Sequence, residues 1–375
     1  MADTRVASGL TVEQWDSQFF TEYLTENRYS GEMGTDESSI IQVKENLTKK
    51  KGDRINFALV NKLSQDAITG RNVLEGNEED MASRSCEVTV DKRRNGVRVA
   101  EIDEQYSAIS LRDAGRAVLK DWSMKDTETL ITKALGKMGG IDMTATDVAA
   151  SSNQSALDSW LATNSDRVYF GGASYTASSG DLSAGLATLT AATATERLTA
   201  ANVSAMKFLA ETVANPHIRP IRVEGSNGRR YYVMYAHPLG FRDLKNDSAI
   251  IQAQREVVLE MENNRLFKGG DLLWDGVIIK AIPDMYNINT LTNLGDSGAT
   301  TVVPAFLVGA QAVGAAYAKR WTSKEQTFDY GDKQGVAIEA IYGIDKLTFG
   351  TGTGDRTSPK DNGVVTGFFA ASAAS

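Results

Sequence analysis

A polar span too long to be an ordinary turn separates two runs of strand-like alternation, and this constrains the chain more than any other feature. In the first run, residues 54–63, Ile55, Phe57 and Leu59 recur at period two, as on one face of a half-buried strand. In the second, residues 86–91, Cys86, Val88 and Val90 alternate with Glu87, Thr89 and Asp91. Asn95-Gly96 then predicts a tight turn, with Val97 and Val99 resuming the alternation beyond it. The connecting span, residues 64–85, carries Arg71, Glu75, Glu78, Glu79, Asp80 and Arg84. In a compact domain such a connection is functional, disordered or held by something outside the subunit.

The 375 residues suffice for a substantial core divided into two or three subdomains. A net charge of -8 argues against nucleic-acid binding as the main task, because such binders present a basic field. No apolar run is long enough to span a bilayer, and the first residues lack the apolar core of a signal peptide. This predicts no membrane partner and a protein that stays where it is made. The single cysteine, Cys86, excludes an intrachain disulfide framework and a multi-cysteine metal site.

In chain order, Thr11 and Gln14 fit a capping box, and Trp15, Phe19 and Tyr23 then form an aromatic stripe on a short helix. With the glycines Gly31 and Gly34 and sparse apolar anchors, the first fifty residues read equally as an extended arm or as a helix folded back on its own domain. Residues 38–44 predict a short extended segment, and Lys49 to Lys51 a cationic turn. Beyond the ribbon, Leu111, Ala114, Gly115, Val118 and Trp122 share one helical face over residues 107–122. Ile131, Leu135 and Met138 lie nearly opposite that face, so the pattern predicts a break at 123–126 and a second helix ending at Gly139-Gly140. Residues 142–196 predict short helices mixed with loops. Thr199 predicts the cap of a helix bearing Val203, Met206, Leu209 and Val213, and residues 218–223 and 231–235 predict a hairpin. A helix over 247–263, strands over 277–282 and 305–309, a small-residue helix over 310–319 and short strands at 338–349 and 364–369 complete the reading.

No catalytic constellation emerges. His217 and His237 sit beside proline-containing turns without clustered ligand or acid-base partners, and Cys86 reads as a buried thiol. Residues 350–355 are glycine-rich but lack the lysine and the strand-helix context of a phosphate loop. No catalytic residue, cofactor or metal site is predicted, and an enzyme is not expected.

Lys51 to Phe57, Leu74 to Glu79, Val90 to Arg94 and Leu111 to Asp113 resemble, in that order, landmarks of the major capsid protein family of N4-like tailed phages. Residues 215–220, 232–238, 307–312 and 343–346 extend the resemblance over nearly the whole chain; 142–196 is its least matched part. The resemblance implies the α+β, HK97-like phage capsid fold. In that fold an N-terminal arm and an extended β-hairpin, the E-loop, reach neighbouring subunits, while a peripheral domain with a spine helix and an axial domain form the body. Mapped here, it implies an arm at 1–51, the E-loop at 52–105, a peripheral domain with the spine helix at 106–215, an axial domain at 216–321 and a C-terminal return at 322–375.

The implied function is a structural subunit that self-assembles as hexamers and pentamers into the icosahedral head of a tailed phage around double-stranded DNA. An encapsulin-like cargo shell of the same fold is the alternative. Subunit contacts are expected from Trp15, Phe19 and Tyr23 in the arm and from Arg71, Glu75, Glu78, Glu79, Asp80 and Arg84 at the ribbon tip. The ribbon is expected to need a neighbour for its stability, since isolated hairpins are marginal in water. Implied partners are copies of the chain itself, a separate scaffolding protein, a portal, a decoration or cement protein, and packaged DNA in non-specific contact. The implied location is the virion, after assembly in the cytoplasm of a bacterial host.

Overall fold

In a computed structural model of the chain, the described residues are 27–45, 52–60, 65–79, 83–107, 110–172, 180–190, 194–222, 230–257, 267–268, 271–295, 298–352 and 354–372. Trp15, Phe19, Tyr23, Lys49 to Lys51 and Asp80 lie outside them. Among the described residues two compact units form: one within 92–127 and 319–341, the other within 28–91, 128–318 and 342–375.

The larger unit is built on a nine-stranded sheet. Its main path runs Val168–Phe170, Val364–Ala370, Thr300–Val308, Arg230–Ala236, Val277–Ala281, Asp271–Trp274, Phe267–Lys268. The central strands are near-continuous apolar runs, as sheets covered on both faces require. Alternate residues enter separate cores: Tyr235, Phe306 and Phe368 one, Met234, Leu307 and Phe369 the other. The first core also takes Ile131 and Leu135, Trp160 of helix Ser151–Thr163 and Leu186 of helix Leu182–Ala187. The second takes Val203 and Met206 of helix Ala200–Phe208, and Phe241 and Leu244 of helix Pro238–Lys245. Thr199 caps Ala200–Phe208 as expected, its side chain accepting from the Asn202 N–H. The short helices within 142–196 and the strands near 277–282, 338–349 and 364–369 also form as expected.

His237 caps Pro238–Lys245, a helix that the residue pattern did not reveal. Its Nδ1 accepts the Leu239 N–H at 3.2 Å, so Nε2 carries the proton toward Thr290 Oγ1 at 2.8 Å. Burial lowers its pKa to about 4. His237 is therefore a neutral structural cap.

The smaller unit takes most of strand Asp91–Ala100, which neighbours Lys333–Lys346, and the adjoining parts of that strand and of its own neighbour Val313–Phe328. The last two are joined through Asp329–Gly331, where Asp329, Tyr330 and Gly331 all take positive φ. Trp122 meets Trp321 edge-on at 5.8 Å, and Arg93 pairs with Asp126 at 2.5 Å. Glu339 gathers Lys319 and Lys324 at 2.5 Å each and Lys92 at 3.2 Å. Hydrogen bonds from Lys319 and Lys324 hold its carboxyl at about 2.

Three expectations are corrected. Helix Leu111–Gly136 is unbroken. It belongs to the smaller unit as far as Thr127 and to the larger from Glu128, so its buried residues serve two surroundings. Gly115 and Leu119 are buried in the first part, where Val118 is exposed; Ile131, Ala134 and Leu135 are buried in the second. The change of apolar face records that handover and not a bend.

Residues 313–328 form a strand where a small-residue helix was expected over 310–319. Val313 to Ala316 pair in parallel with Ile41 to Lys44, and the small side chains allow close packing: a Cβ at Gly314 would meet the Phe57 ring at 3.0 Å. Asn95-Gly96 makes no turn, because Asp91–Ala100 runs straight through it. Gly96 lacks the positive φ a type I′ turn needs; it permits close approach, since a Cβ there would meet Ala337 Cβ at 3.0 Å.

Candidate subunit-contact site

The two-stranded ribbon forms where the alternation placed it. Arg54–Val60 pairs antiparallel with Ser83–Thr89, setting Ile55 opposite Val88 and Phe57 opposite Cys86. These four side chains are buried together with Ala316, Leu347 and Phe349 of the same chain. Lys44 Nζ covers the outer side of the Phe57 ring at 4.4 Å. The expectation that the whole ribbon depends on a neighbouring subunit is therefore corrected for its base, whose apolar face is covered from within the chain. Burial also pushes the Cys86 thiol pKa up, as suits a packed thiol and not a nucleophile.

A polar latch reinforces the base. Arg84 donates to the carbonyls of Gly354 at 2.8 Å and Gly352 at 2.9 Å, and Asp355 accepts from the Ser85 backbone N–H at 2.8 Å and from its hydroxyl. Glu87 pairs with Arg356 at 2.7 Å and Arg54 at 3.1 Å. Both carboxyls titrate below their ordinary range, Glu87 through its arginine hydrogen bonds and Asp355 through those from Ser85. The glycine-rich segment 350–355 is thus a clasp on the ribbon.

The tip follows different rules. Residues 65–79 have no strand or helix and no buried side chain. Val73 and Leu74 are 65% and 61% exposed, in a segment carrying Asp66, Arg71, Glu75, Glu78 and Glu79. The loop is ordered from within: Glu78 accepts the Gly76 N–H at 2.7 Å, Glu79 accepts the Gln65 N–H at 2.8 Å, and the Asn77 N–H donates to the Leu74 carbonyl at 2.9 Å.

Of the residues singled out in the sequence, Arg71, Glu75, Glu78 and Glu79 lie together on this loop, whereas Arg84 sits in a ribbon strand and spends its guanidinium on the clasp. Trp15, Phe19, Tyr23 and Asp80 fall outside the described residues. Ser85, Asp355 and Arg356 were not foreseen, since their partners lie some 270 residues away in sequence and no local pattern joins them. Among the described residues, no group of three or more His, Cys, Asp or Glu side chains is arranged to hold a metal ion, and no helix is long and apolar enough to cross a membrane.

The chain as a whole is similar to known proteins. The capsid of cyanophage Pam1 superposes with a TM-score of 0.84 at 30% identity, all of each chain being covered. That of Ralstonia phage GP4 superposes at 0.75 over all of both chains at 23% identity, a likeness of fold. The major capsid protein of Pseudomonas phage KPP25 is 28% identical over 377 residues, 96% of each chain. The sequence matches the family described as phage capsid protein over residues 3–373, and the chain belongs to that family.

Proposed function

We propose that this chain is the repeating subunit of an icosahedral phage head, assembled as hexamers and pentamers around double-stranded DNA. The observation that carries the reading is the end-to-end match to a capsid subunit, in sequence family and in fold together. The family is structural, not enzymatic. A cargo shell of the same fold is the weaker reading, because the solved neighbours reported above are phage capsids.

The ribbon tip acts here as the contact element. It exposes apolar and charged side chains on a loop that its own hydrogen bonds keep shaped, and loops carried on rigid scaffolds are where binding residues concentrate. Arg71, Glu75, Glu78, Glu79 and Asp80 are its polar contacts, and Trp15, Phe19 and Tyr23 anchor the arm. In this reading the arm is 1–51, the E-loop 52–105, the peripheral domain 106–215, the axial domain 216–321 and the return segment 322–375. Non-specific contact with packaged DNA, a separate scaffolding protein, a portal, a decoration protein and assembly in the host cytoplasm belong to the same reading and rest on the family resemblance.

Electron microscopy of the purified, overexpressed chain and of virions tests the function. Closed shells, and the chain as the main protein of the head, are the expected result. A soluble monomer absent from virions overturns it.

A further inference from the structure

The chain enters its larger unit through residues 28–32, and a lysine with two carboxylates in reach holds that entry. Tyr29 is fully buried, its ring edge-on to Tyr235 at 4.8 Å and its hydroxyl 2.9 Å from Thr132 Oγ1. Arg28 Nη1 donates to the Ala281 carbonyl at 3.3 Å. Glu32 ends the short turn Ser30–Glu32, and its Oε1 accepts from Lys280 Nζ at 2.5 Å. Its other oxygen, Oε2, is buried without a hydrogen-bond donor among the described residues, and the Tyr235 hydroxyl is likewise buried without a partner among them. Lys280 stands on strand Val277–Ala281, paired with Tyr235 on one side and flanked by strand Asp271–Trp274 on the other. From there its Nζ also lies 3.9 Å from Asp271. A cavity of about 160 Å³, lined by Arg28, Asp271, Lys280, Ala281 and Ile282, opens beside the lysine.

We propose that Lys280 is a two-position lock on the root of the N-terminal arm: seated on Glu32 it holds residues 28–32 on the body, and seated on Asp271 it lets them go. The inference rests on the shell-forming reading above, in which the arm reaches other copies. Taking Glu32 away from a lysine with no other partner would strand a largely buried charge, which is strongly unfavourable. Asp271, on the strand alongside, removes that barrier. The cavity gives the lysine side chain room to pass between the two carboxylates. Glu32 is held through one oxygen only, so little polar pairing is lost when it leaves. The closed position is the resting one, because Tyr29 is then out of water and Lys280 is nearer to Glu32, at 2.5 Å, than to Asp271, at 3.9 Å. Opening lengthens the arm by residues 28–32, about 16–18 Å of extended chain at about 3.3–3.6 Å per residue. A subunit that serves in both hexamers and pentamers meets its neighbours at different angles and separations, and a lock with two positions supplies two reaches from one sequence.

Amide hydrogen exchange on the full-length, unassembled chain tests the lock. Glu32→Gln weakens the closed position, and exchange at 29–34 is expected to quicken about tenfold or more while strands 231–236 and 302–308 keep wild-type rates. Asp271→Asn removes the open position, and exchange at 29–34 is expected to slow about threefold or more. That opposite sign separates a lock from a merely structural ion-pair cluster, in which loss of either carboxylate loosens the segment. Unchanged or faster exchange in Asp271→Asn overturns the proposal, as does an unchanged rate in Glu32→Gln or a rise shared by the core strands. If Glu32→Gln does not fold, Asp271→Asn alone decides. Shell yield tests the arm's part: Asp271→Asn, folded but locked, is expected to form about tenfold fewer closed shells than the wild type, and a normal yield overturns the adjustable reach. A wild-type chain that forms no shells overturns the shell-forming reading itself, and the exchange rates then decide the lock on their own.

Discussion

The base and the tip of the ribbon belong to one hairpin and are held by opposite means. At the base, every second side chain enters a core supplied by the same chain, and the polar edge is clasped by segment 350–356. At the tip no side chain is buried among residues 65–79, and hydrogen bonds within the loop give it a shape. The base is thus a property of the folded subunit, whereas the tip keeps its side chains exposed, as the proposed contact with a neighbour requires. An element meant to reach a neighbour needs this division, because a wholly exposed hairpin would be marginal and a wholly buried one would have nothing to offer.

The sharpest way to break the comparison is Phe57→Ala. It empties a buried site facing Cys86, and the unassembled subunit should lose about 3–5 kcal/mol of stability, read by denaturant unfolding. If the base depended on neighbours, the isolated subunit would barely notice.

Acid should weaken the larger unit next. Folded His237 stays neutral down to about pH 4, while an unfolded chain protonates it below about 6.5. Its contribution is complete above the unfolded value and is lost as pH falls through the folded one, by up to about 3 kcal/mol. His237→Gln should flatten that part of the stability profile between pH 6.5 and 4.

Arg84→Ala leaves the Gly352 and Gly354 carbonyls without their charged donor. About 1.5–3 kcal/mol should be lost, seen as faster amide exchange confined to 83–89 and 350–358. The smallest effect on the subunit should come from the tip: E78K/E79K should shift unfolding by no more than about 1 kcal/mol, since exposed charges contribute little, and yet should reduce shell yield. Equal effects of Phe57→Ala and E78K/E79K on isolated-subunit stability would erase the distinction between base and tip.

Much of this was legible in the sequence. Period-two alternation gave the ribbon strands and their buried face, and the capsid resemblance, built on ordered landmarks, holds at the level of the phage capsid protein family. The tip loop was recognisable because so long a polar connection has no role inside a compact domain. The alternation of Lys92, Arg94 and Arg98 along one strand face was available as well, and the Asn-Gly dipeptide obscured it by suggesting a turn.

Local pattern determined which residues prefer strand or helix and which side chains must leave water, because those preferences act over a few residues. Only the tertiary structure decided the rest. Residues 313–316 became strand because an existing edge at Ile41–Lys44 and the Phe57 ring rewarded small side chains there. The helix 111–136 stayed whole because its two apolar faces found different partners. The ribbon base stands without a neighbour because Leu347, Phe349 and Asp355, some 260 to 290 residues further along, close over it. Contacts at that separation leave no periodic trace in sequence, and burial free energy, summed over the fold, selects among the local options.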